Sequence, residues 1–124
     1  MIEEFSQVSP TRETAITIGV FDGMHVGHSR LIQRTIDEAS SRGLMSTIVT
    51  FRNHPNTILS PQFEPKYLTS IDQRLGLMKS SGADLVIPIT FIKQMAQVRA
   101  KKFLYILMER LKMRLLVAGP DFAL

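Results

Sequence analysis

The stretch Ala15–Ile32, "AITIGVFDGMHVGHSRLI", changes character twice within eighteen residues. Its opening "AITI" has the apolar, β-branched composition of a strand buried on both faces of a parallel sheet. Gly19 to His28 then crowds three glycines, one aspartate and two histidines into ten positions. From Val26 onward the spacing turns helical. Leu31, Ile32, Thr35, Ile36 and Ala39 fall on one face, with Arg30, Arg34, Asp37 and Glu38 turned outward. A strand that runs through a glycine-rich turn into an amphipathic helix is the opening of a β–α–β unit, so the stretch predicts an α/β fold.

The remaining sequence repeats this alternation. Short runs rich in Ile, Val and Leu at Ala15–Phe21, Ser46–Phe51, Asp84–Ile89 and Arg114–Ala118 predict about four parallel strands. Gly43 ends the first helix. The segment "RNHPNTILSPQFEPKYLT" holds three prolines and reads as a loop. Ser70 and Gln73 form a capping box for a helix that carries Ile71, Leu75 and Met78 inward and stops at Gly82. A last helix over Val98–Leu111 spaces Phe103, Leu107 and Leu111 by four, with Leu104 and Met108 widening the apolar stripe. Right-handed crossovers then place helices on both faces, giving a three-layer α/β/α sandwich.

Bulk properties restrict the class of protein. A chain of 124 residues makes one domain. With no cysteine, disulfides and thiolate zinc sites are excluded, which fits a reducing cytoplasm. No apolar run approaches the roughly 20 residues of a membrane span, and the polar start lacks the order of a secretory signal. The net charge of +4 is scattered rather than clustered, as on a solvated face; neither a nucleic-acid nor a membrane partner is expected.

The junction between the first strand and helix is the candidate site. Gly23 and Gly27 lie where backbone N–H groups lack intrahelical partners and the helix dipole favours negative charge. His25 and His28, three apart, can add imidazole donors to the same anion and stabilise charge on transferring phosphate oxygens. Two other readings compete: a metal pair completed by His54, and incidental surface residues of a turn. Gly19, Gly23 and Gly27 recur every four residues, which is not G-x-G-x-x-G, and no G-K-[ST] follows the strand. Each strand is also followed closely by a phenylalanine: Phe21, Phe51, Phe91 and Phe122. Beyond the carboxyl ends of a parallel sheet, such a set either lines a pocket for a flat ring or plugs the top of the core.

"GVFDGMHVGH" resembles the H-x-G-H motif region of the nucleotidyltransferase superfamily. Four blocks, "TIGVFDGMHVGHSRLI", "VTFRNHP", "LTSIDQRLGLMKSSGADLVIPITF" and "LVAGPDFAL", resemble in order the bacterial FAD synthetase (FMN adenylyltransferase) module of bifunctional riboflavin kinase/FAD synthetases. The resemblance implies a Rossmann-like nucleotidyltransferase fold and transfer of AMP from MgATP to FMN, giving FAD and pyrophosphate. It implies that His25 and His28 are catalytic and that Gly19, Phe21, Asp22, Gly23, Gly27 and Asp121 bind ATP. Phe51, His54 and Pro55 are implied to lie at the flavin, and Asp121 to serve Mg2+.

The sequence also departs from that pattern. Asn53 stands where a proline is usual before the histidine, and "IKQMAQVRAKKF", within residues 92–103, is looser and more basic than its counterpart. Ending at "GPDFAL", the chain is expected to be a C-terminally incomplete adenylyltransferase domain, with a riboflavin kinase domain following in the full-length product. By itself it is expected to turn over little. The alternatives are a non-catalytic remnant that binds nucleotide or flavin, or another H-x-G-H adenylyl- or cytidylyltransferase.

Overall fold

A computed structural model describes residues 10–19, 21, 26–52, 70–90 and 100–119. Along them run β1 (Thr14–Gly19), α1 (Val26–Arg42), β2 (Met45–Phe51), α2 (Ile71–Ser80), β3 (Leu85–Ile89), α3 (Ala100–Arg110) and β4 (Met113–Leu116). The strands form one parallel sheet in the order β3-β2-β1-β4. β1 is paired with β2 along its whole length, from Thr14 opposite Met45 to Gly19 opposite Thr50.

Alternation along the strands sends side chains into two cores. On one face Ile48 of β2 meets Phe21, Ile32 of α1 and Met78 of α2. On the other, Ile16, Ile18, Val49, Ile87 and Ile89 meet Leu107 of α3, together with Leu111 and Met113. α1 and α2 therefore cover one face and α3 the other, in the expected three layers. The sequence stretches read as strands and helices all fall within a few residues of the observed elements. Gly43 and Gly82, at φ +68° and +97°, take the left-handed conformations that end α1 and follow α2. No helix among the described residues is long and apolar enough to cross a membrane.

The N-terminal edge of the sheet is closed by side chains. Asp84, just before β3, accepts from the Ser46 N–H at 3.0 Å and from its hydroxyl at 3.3 Å, and its own N–H donates to Ser46 Oγ at 3.0 Å. Thr14 Oγ1 donates to the Leu111 carbonyl at 2.8 Å, tying β1 to the chain entering β4. Between Thr14 and Ala15 the β1–β4 register shifts, and Arg114, the residue passed over, pairs with Glu13 at 3.1 Å. That exposed pair adds little stability.

Two helix faces differ from expectation. The Ser70–Gln73 capping box forms as read, the Gln73 N–H donating to Ser70 Oγ at 3.1 Å and the Ser70 N–H to Gln73 Oε1 at 2.9 Å. Behind it, however, the buried residues are Met78 and Arg74, while Ile71 and Leu75 are half-buried. Arg74 is only 1% exposed. Its guanidinium donates to the carbonyls of Phe51 at 3.2 Å and Arg52 at 3.1 Å, where β2 leaves the sheet. On α3, Met108 is 55% exposed and stands outside the core, because the face packed on the sheet is that of Phe103 and Leu107.

Arg74→Met keeps most of the buried volume and removes both donors from the two carbonyls. Hydrogen bonds from a charged donor contribute about 1.5–3 kcal/mol each, and burial of the guanidinium offsets part of that. The variant is expected to lose about 2–4 kcal/mol in urea unfolding, whereas Ser70→Ala should lose only about 1 kcal/mol.

Candidate functional site

The strand order locates the site. From β1 the chain winds outward through β2 to β3, with α1 and α2 on one face, and then returns by α3 on the opposite face to place β4 on the other side of β1. The winding direction reverses between β1 and β4, and in open parallel sheets ligands bind beyond the carboxyl ends of the strands at this switch point. Pairing shows where the crevice opens. β1 stays bonded to β2 as far as Gly19, but its ladder with β4 ends with Ile16 opposite Leu116, followed by the Val117 N–H donating to the Ile16 carbonyl at 2.8 Å. Beyond that bond the described residues of the two strands share no further ladder pairing.

α1 begins at this opening. Its first turn, Val26 to Ser29, contains no acidic side chain, and the N-terminal end of a helix dipole favours negative charge. The helix is 17 residues long and carries Arg42 in its last turn, where a cation complements the dipole. The exit of β4 approaches the same helix. A Cβ built on Gly119 would lie 3.6 Å from Leu31 Cδ2, an ordinary contact.

Gly19, Phe21 and His28 form a compact unit at the head of this crevice. Phe21 has φ +57°, a left-handed conformation that costs a non-glycine residue roughly 1–3 kcal/mol. That backbone lets its ring fold back over the end of β1. A Cβ on Gly19 would stand 3.1 Å from both Cε2 and Cζ of the ring, closer than packed carbons normally come. Phe21 is 3% exposed and packs with Ile32, Ile48 and Met78. Burying a phenylalanine contributes about 1.5–3 kcal/mol, enough to offset the backbone cost. His28 is half-buried with its Nδ1 inaccessible, and its ring meets Phe21 edge to face, centroids 5.4 Å apart and planes at 81°.

Of the residues singled out in the sequence, the structure brings together Gly19, Phe21 and His28, with Gly27 in the same first turn of α1. Asp22, Gly23, His25, His54, Pro55, Phe91, Asp121 and Phe122 lie outside the described residues. Phe51 sits at the same carboxyl edge but on the opposite face of the sheet, packed against the α3 core. Phe21 and Phe51 therefore do not line one pocket for a flat ring; Phe21 plugs the core beneath α1. Among the described residues no group of three His, Asp or Glu side chains could hold a metal ion. Sequence reading passed over Arg74. Its place four residues before the last turn's buried Met78 was the available signal, but a cation there reads as solvated.

Comparison with known proteins gives the family. The sequence model of the FAD synthetase family matches residues 7–124. The bifunctional riboflavin kinase/FMN adenylyltransferase of Escherichia coli strain K12 is 30% identical over 122 residues, covering 98% of this chain and 39% of that protein. Its counterpart in Listeria monocytogenes is 29% identical over 109 residues, covering 87% of this chain and 35% of its own. A crystal structure described as a macrolide-efflux protein from Streptococcus pneumoniae superposes with a TM-score of 0.82 over 97% of this chain and 40% of its own; at 22% identity the likeness is one of fold. The chain thus spans well under half the length of the curated relatives it matches. Matched along nearly its whole length, the chain belongs to the FAD synthetase family.

Proposed function

We propose that this chain carries the FMN adenylyltransferase activity of its relatives, moving AMP from MgATP to the phosphate of FMN. The observation that supports it most is the acid-free N-terminus of α1, with half-buried His28 in its first turn, opening on the crevice between β1 and β4. A phosphate oxygen of FMN attacks the α-phosphorus of ATP, and the bond from that phosphorus to the α,β-bridging oxygen breaks to release pyrophosphate. Both substrates bring their own reacting groups, so the protein's work is alignment and stabilisation of charge. N–H groups of the α1 first turn and the imidazole of His28 face the anion whose charge grows on the departing oxygens. His25, three residues earlier, supplies the second imidazole in this scheme. Magnesium enters as part of the MgATP substrate, and Asp121 is the residue of this chain assigned to meet it. The chain's lack of cysteine suits a cytoplasmic setting, and a riboflavin kinase domain in the same product would supply FMN.

MgATP titrated into labelled protein is expected to shift the amides of Gly19, Phe21, Gly27, His28 and Val117–Gly119, at the carboxyl edge. Thr14, Met45 and Met113, at the opposite edge, should stay in place. Shifts confined to Lys101, Lys102 and Arg110 of α3 would mean nonspecific attraction to charge and would discard the crevice as the nucleotide site.

Steady-state kinetics of the full-length product that contains this chain, with both substrates varied, test the chemistry. His28→Ala and His25→Ala are each expected to lower kcat roughly a hundredfold, or about 3 kcal/mol, the usual effect of losing one preorganised donor. FMN affinity should change much less. His54→Ala should instead raise the KM for FMN. An unchanged kcat in both His25→Ala and His28→Ala would remove the catalytic assignment; nucleotide binding without turnover in the unaltered protein would favour a binding remnant.

A further inference from the structure

We propose that Phe21 is a positioning residue for His28, and that Gly19 is a glycine so that Phe21 can take that role. The proposal rests on the adenylyl-transfer reading of the crevice and goes beyond it, since it explains how one imidazole is held ready.

Phe21 is itself immobilised. Its ring is wedged among Ile32, Ile48 and Met78, which come from α1, β2 and α2, and its backbone is left-handed. The ring rests over Gly19 so closely that a Cβ there would stand 3.1 Å from two of its carbons and push it aside by a few tenths of an ångström. His28 then lies against this fixed ring at 5.4 Å and 81°. The second torsion of a histidine is broad, so the rotamer alone does not fix the plane of the ring. An aromatic edge-to-face contact does set the ring plane. Ile32 sits one turn along α1 from His28 and packs on the same phenylalanine cluster, so the helix face carrying the imidazole is tied to Phe21 at two levels. A donor held in this way needs no reorganisation when charge develops in the transition state. Phe21, buried beneath the helix, acts only through His28.

A phenylalanine that merely fills the core predicts something different. Its loss would loosen nucleotide binding whether or not His28 is present. A positioning phenylalanine matters only while there is an imidazole to position, and a double-mutant cycle separates the two. MgATP affinity is measured for the unaltered chain, Phe21→Leu, His28→Gln and the double variant. Gly19→Ala, which keeps every atom of the core and only displaces the ring, is carried through the same cycle in case Phe21→Leu fails to fold. The expected result is roughly fivefold or greater weakening by either substitution beside His28, and little further change in the His28→Gln background. Equal weakening in both backgrounds would overturn the proposal. Proton spectra of the imidazole give a second readout that needs no nucleotide. The unaltered chain should show cross-relaxation between the rings of His28 and Phe21, and Gly19→Ala should shift the His28 resonances and weaken that cross-peak. Unmoved His28 resonances in both Phe21→Leu and Gly19→Ala would also overturn it. If MgATP fails to bind the unaltered chain, the nucleotide reading fails, and the imidazole spectra alone decide the positioning.

Discussion

Burial of β1 is the constraint on which the rest of the molecule depends. Thr14, Ala15, Ile16 and Thr17 are fully buried, and the strand is hydrogen-bonded to β2 on one side and β4 on the other. A strand enclosed on both faces and both edges has one free direction, along its axis, and the chain must leave it through a turn at the carboxyl end. The candidate site lies there, where the pairing with β4 stops three residues before the strand does. A parallel sheet needs crossovers, crossovers need helices, and the first of these begins where β1 ends.

Polar groups inside such a sheet have to be answered locally. The hydroxyl of Thr14 reaches the Leu111 carbonyl and that of Thr35 the Leu31 carbonyl, each at 2.8 Å. Arg74 is the costliest case. A guanidinium taken out of water is tolerable only where several acceptors converge, and the carbonyls of Phe51 and Arg52 at the exit of β2 are such acceptors. One buried cation thereby joins the end of β2 to the first turns of α2. The same economy of space operates at the head of α1, where the missing side chain of Gly19 admits the Phe21 ring that abuts His28.

Much of this was legible in the order of residues. Period-two and period-3.6 patterns are imposed by whether a side chain faces a core, so the strands, the three helices and the Ser70–Gln73 cap could be read from Ile, Val and Leu spacing and from one serine. The candidate anion site was legible for a different reason. Glycine and histidine crowded at a strand-to-helix junction are poor choices for either element, and such local conflicts mark places where chemistry outweighs folding.

What the sequence by itself determined was the α/β class, the succession of elements and the residues available at the first β–α turn, because each of these follows from interactions between near neighbours in the chain. Tertiary structure alone decided the sheet order β3-β2-β1-β4, and with it the reversal between β1 and β4 that makes a crevice. It also decided that Phe21 and Phe51, each just past or at the end of a strand, belong to opposite faces, that Arg74 turns inward while Met108 turns out, and that Phe21 abuts His28. These outcomes depend on which distant segment arrives alongside. No local spacing records whether a cation will find two carbonyls, or whether an aromatic ring will find the space above a glycine.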